Sequence, residues 1–113
     1  MSKRDALIET YVTELKEKCG VTADLDLLTK VTVGLGPSIY NADSGFIAGS
    51  DKSELETVKN NFLIKKLGLA EGPALMEAID KALETYGRSN PRKHRAVVYY
   101  LLVKQFGKES VYA

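Results

Sequence analysis

The chain has 113 residues, a formal net charge of +1 and 27% charged side chains, a balance that excludes an acidic or basic polyelectrolyte and fits one globular domain over residues 1–113. Its hydrophobic content of 44% supports a core without disulfides or metal, and the lone cysteine, Cys19, excludes an intrachain disulfide. The longest apolar run, Ala96 to Val103, is far shorter than the roughly 18–20 residues a membrane span requires, and the opening residues hold no apolar signal core. A cytoplasmic protein with no membrane association is expected.

Five helical segments follow from apolar period and punctuation. The first runs from about Lys3 to Lys18, with Ile8, Tyr11, Val12, Leu15 and Cys19 on one face and Gly20 as the stop. The second runs from about Ala23 to Val33, where Thr22 or Asp24 can cap it and the acids suit the positive helix end. Val31-Thr32-Val33 alternates like a strand, but no other segment reads as a partner strand, so helix is the consistent assignment. Gly34, Gly36 and Pro37 terminate it. Residues 38–50 then form an ordered loop with a short helical turn, with Ile39, Tyr40, Phe46 and Ile47 expected against the core.

Asp51-Lys52-Ser53-Glu54 has the spacing of a capping box and opens the third helix, which buries Leu55, Val58, Phe62 and Leu63 and stops at Gly68. Gly72-Pro73 opens the fourth, whose stripe is Leu75, Met76, Ile79, Ala82, Leu83 and Tyr86, closed by Gly87. Ser89 or Asn90 caps the fifth, with Pro91 just inside its start, and it continues to about Phe106 before Gly107. Its middle is apolar on nearly every side, which marks a central helix. The predicted fold is therefore all-α, a compact bundle of about five helices with short connections.

Most site chemistry is excluded by residue type. Cys19 and His94 are single, so no Cys/His zinc site can be built within one chain. His94 sits between Lys93 and Arg95 with no adjacent carboxylate to orient it, a poor general base. Asp24 and Asp26 diverge by about 200° on a helix and do not converge on an ion. In the segment after Asn41, Phe46 stands where a calcium loop needs glycine and Lys52 where it needs glutamate. Gly34-Leu-Gly36-Pro-Ser38 lacks the spacing and lysine of a phosphate loop. No catalytic, metal or cofactor-binding residue is assigned.

One cluster breaks a local rule. Residues 88–113 hold six Lys/Arg and one Glu, whereas residues 1–50 and 51–87 are each net negative by two. Arg92, Lys93 and Arg95 place three positive charges in a helix's first turn, against the dipole, each at a cost of up to about 1 kcal/mol, with Arg88 and Asn90 just before them. Lys104 falls within about 40° of Lys93 and Tyr100 on the same helix. These residues form a possible anion-binding set for a phosphate or a nucleic-acid backbone, or else they pair with acids of neighbouring helices.

The segments Asp26-Leu-Leu-Thr-Lys-Val-Thr-Val-Gly-Leu-Gly-Pro-Ser-Ile-Tyr-Asn-Ala-Asp43, Glu54 to Gly68 and Tyr99-Tyr-Leu-Leu-Val-Lys104 carry a resemblance. Through them the chain resembles a family of small bacterial proteins catalogued as a domain of unknown function, which implies a compact helical fold and transfers no catalytic residues. The functional expectation is a non-catalytic binding or assembly module, possible as a homo-oligomer. The alternative is a weak nucleic-acid or phosphate binder using the basic start of the last helix.

Overall fold

In the computed structural model, residues 2–41, 44–87 and 93–112 are described. Helix α1 spans Lys3–Cys19. Ser2 caps it by accepting from the Asp5 N–H at 3.1 Å, and Gly20, at φ 66°, ends it in the left-handed region. Helix α2, Leu25–Leu35, is capped by Asp24. It carries Val31 and Thr32 into the core as helical residues, and the Thr32 hydroxyl donates to the Leu28 carbonyl at 2.8 Å. A 3-10 turn, Gly36–Tyr40, follows with Pro37 in its first turn.

Helix α3, Lys52–Thr57, passes directly into a π-helical stretch, Val58–Ile64. Closing each turn with an extra residue turns both Phe62 and Leu63 inward beside Val58. At the α-helical 100° per residue Leu63 would lie about 140° away from Val58. Helix α4, Pro73–Tyr86, buries the predicted stripe apart from the half-buried Met76. Helix α5, Arg95–Phe106, runs through the middle of the bundle against α1, α2 and α4. Every residue from Ala96 to Val103 is buried except Leu101, which is half-buried. A second 3-10 turn, Glu109–Tyr112, folds back on α2.

The five α-helices make this an all-α bundle, with a two-strand ladder added. Three expectations are corrected. First, the sequence offers no strand, yet β1, Phe46–Ile47, pairs antiparallel with β2, Lys93–His94, in the register Phe46 to His94 and Ile47 to Lys93. Second, α5 begins at Arg95 rather than near Pro91. The ladder holds Lys93 and His94 extended, so of the described residues Lys93 and Arg95 only Arg95 lies in the helix, which eases the clash with the dipole. Residues 88–92, including the expected caps Ser89 and Asn90, lie outside the described residues. Third, Ile39 and Ile47 are buried and Phe46 half-buried as expected, but Tyr40 stands 52% exposed because the 3-10 turn rotates it outward.

Gly45 joins the loop to α5. Its N–H donates to the Asn41 carbonyl at 2.7 Å and its own carbonyl accepts from the Arg95 N–H at 2.9 Å. A Cβ there would fall 2.7 Å from the Asn41 oxygen and 3.1 Å from the Ile39 oxygen, so only glycine fits between these groups.

Candidate functional site

Of the basic cluster, Lys93, Arg95 and Lys104 are among the described residues. Arg88, Asn90 and Arg92 lie outside them. Lys93 is buried at 5% exposure, and a Cβ on Gly49 would sit 3.7 Å from its Nζ and from Leu83. Arg95 turns into the protein. Its guanidinium pairs with Glu54, donates to the carbonyls of Ser44 (2.7 Å) and Phe46 (3.3 Å), and reaches the Tyr99 hydroxyl at 3.1 Å. Its backbone N–H is taken by Gly45, so this helix end does not offer that group to an anion.

Lys104 lies nine residues further along α5, about 13 Å at 1.5 Å per residue, and pairs with Glu109 at 3.4 Å on the surface. Tyr100, placed by sequence on a basic outer strip, is 1% exposed. Its hydroxyl accepts from the Asp24 N–H at 2.8 Å and ties α5 to the start of α2.

Glu54 explains part of this. Asp51 caps α3 through the N–H groups of Ser53 (3.0 Å) and Glu54 (3.4 Å), but the Glu54 side chain does not return to Asp51 as a capping box would have it. It crosses to Arg95, 41 positions away in sequence. No local signal announces that partner.

A second polar network holds α1 to α4. The Tyr86 hydroxyl donates to Glu14 at 2.7 Å and accepts from the His94 N–H at 3.2 Å; burial, then the bond to Glu14, pushes its phenol well above the ordinary range. His94 sits between the rings of Tyr11 (centroids 5.1 Å) and Phe46 (4.6 Å). Cys19 is half-buried nearby, and burial with the Glu14 charge pushes its thiol up to about 11, the reverse of an activated nucleophile. Among the described residues no three His, Cys, Asp or Glu side chains gather to hold a metal ion, and no helix is long and apolar enough to cross a membrane.

The buried tyrosines set an alkaline limit. Burial is the main cause that raises the Tyr11 and Tyr112 phenols to about 12 from the ordinary 10.0. The unfolded chain therefore loses these protons first, and stability, complete below pH 10, should fall as pH rises from there through about 12. Urea unfolding midpoints measured from pH 8 to pH 12 check this: a midpoint that stays level above pH 10 contradicts it.

What the surface does present is an apolar face built by α1, the end of α2 and the first 3-10 turn. Tyr40, Val33 (51% exposed) and Pro37 stand beside Leu7 and Ala6, around two adjoining shallow grooves of about 350 and 220 Å³ that share Ile39 and Tyr40. The charged groups among the described residues lining them are Lys3 and Arg4, both positive. Glycine and proline around Tyr40 marked a turn in the sequence, but not which way the ring would face.

Residues 10–110 match a family described as a protein of unknown function, DUF2853, and the chain belongs to that family. No curated protein matches the sequence.

Proposed function

We propose that this DUF2853 chain is a non-catalytic binding module that docks an apolar, acid-flanked segment of a partner protein on the face around Tyr40. The observation that carries this reading is the half-exposed Tyr40 ring among Val33, Pro37 and Leu7, with Lys3 and Arg4 as the adjacent charges. Tyrosine and arginine are the residue types on which binding energy concentrates, and an exposed apolar cluster with a charged rim is the usual form of such a surface. The positive rim favours an acidic partner over a second copy, since a two-fold contact through this face would bring like charges together.

The test is a titration of isotope-labelled protein with an amphipathic peptide of alternating Leu and Glu, followed by nuclear magnetic resonance. Shifts should centre on Leu7, Val33 and Tyr40, and the Lys-for-Glu version of the peptide should not bind. Tyr40→Ala should weaken binding about tenfold or more, about 1.4 kcal/mol. Because the ring is half-exposed, folding stability should move by no more than about 0.5 kcal/mol. A concentration-dependent dimer that Tyr40→Ala dissolves would instead assign the face to self-association and overturn the reading. So would peptide shifts centred elsewhere on the molecule.

A further inference from the structure

We propose that the pocket between α2 and the π-helical half of α3 binds a single-ring aromatic carboxylate. The inner wall is the stacked pair Phe62 and Tyr99, with ring centroids 3.8 Å apart and planes 17° apart, both rings almost fully buried. Tyr112, from the C-terminal 3-10 turn, forms a third aromatic wall. It lies over bare helix backbone at Gly34, where a Cβ would sit 3.5 Å from its Cε1. Lys66 stands at the rim with its Nζ 5.1 Å from the Tyr112 ring centre, and Asn61 adds an exposed amide.

The pocket holds about 210 Å³. A cavity of about 150 Å³ accepts benzene, so one ring fits here with room for a small polar group. Lys66 is the charged residue among the described residues lining it, so the matching group on the ligand is an anion. Three aromatic side chains favour a flat, polarisable ring against them. The Lys66 ammonium already lies near the Tyr112 ring face, and a carboxylate at the rim would gain that cation without displacing an acid. The π-helical stretch places Asn61 and Phe62 at the opening, with Lys66 in the turn just after it, and such stretches recur at functional sites. This pocket shares no lining residue with the Tyr40 face, although both border α2.

The deciding experiment titrates the isotope-labelled protein with sodium benzoate. Saturating shifts are expected at the Asn61 side-chain amide and the Gly34 backbone amide, with a dissociation constant in the millimolar range suited to so small a ligand. Benzyl alcohol, which keeps the ring and lacks the charge, should bind several-fold more weakly. Lys66→Gln should lose the same factor, and Tyr112→Ala should weaken binding further by removing one wall. Lys66 is exposed and Tyr112 only half-buried, so both variants should fold. Absence of saturation, shifts centred on another region, an equal response to acetate, or unchanged affinity in Lys66→Gln would each overturn the proposal.

Discussion

Arg95→Ala is expected to lower folding stability by about 3–5 kcal/mol, the cost of removing one member of a largely buried ion pair. The Arg95 and Glu54 side chains are 12% and 23% exposed, so solvent does little to replace the lost partner. The same guanidinium also satisfies the Ser44 and Phe46 carbonyls, which hold the loop and the strand β1 against α5. Removing it takes this partner away from an acid and from two carbonyls at once. Glu54→Ala should cost a comparable amount, and the double variant less than the sum of the two, because the second change removes a charge already orphaned. Arg95→Lys should not restore the wild-type value, since an ammonium cannot address four acceptors in a planar fork. Urea unfolding of the four variants measures all of this. A loss below about 1 kcal/mol for Arg95→Ala, the range of exposed pairs, would show that the network is not holding the loop.

Phe62→Ala should cost about 3–5 kcal/mol, the usual range for truncating a buried aromatic ring. Phe62 is 4% exposed and stacks on Tyr99, so the change opens a void in the core and removes a ring contact. Phe62→Leu separates the two contributions. It restores most of the buried area and should recover all but about 0.5–1.5 kcal/mol, the part that belongs to the ring pair. The position also reports on the π-helical stretch. If α3 relaxed to regular α-helix in solution, Leu63 and not Phe62 would swing away from Val58, and Leu63→Ala would be nearly silent. Leu63 is fully buried, so Leu63→Ala should instead cost about 2–5 kcal/mol in the same unfolding assay.

The local grammar of the chain was legible without its fold. Gly20 and Gly107 end α1 and α5 in the left-handed region, Pro73 opens α4, and Asp24 and Asp51 cap α2 and α3. Each of these rests on groups within a few residues of one another, which is why residue type alone is informative. The helical state of Val31-Thr32-Val33 also follows from the sequence, through the lack of a partner strand for that segment more than through propensity. The apolar middle of α5 identified the central helix because every side of it would need a neighbour.

What sequence reading missed depends on contacts far apart in the chain. Arg95 reads as part of an anion-binding run so long as Glu54, Gly45 and the β1 backbone are not known to lie against it. Once they do, Arg95 becomes an internal tether and the helix starts later. The π-helical turn and the outward rotation of Tyr40 are likewise settled by which residues must fill the space beside Val58 and Ile39. Residue order by itself therefore determined an all-α protein with its stops, caps and central helix, since those follow from hydrogen bonds and dihedral preferences near in sequence. Only the tertiary structure decided where the charges point and which aromatic rings face solvent, because burial and ion pairing are properties of neighbours in space.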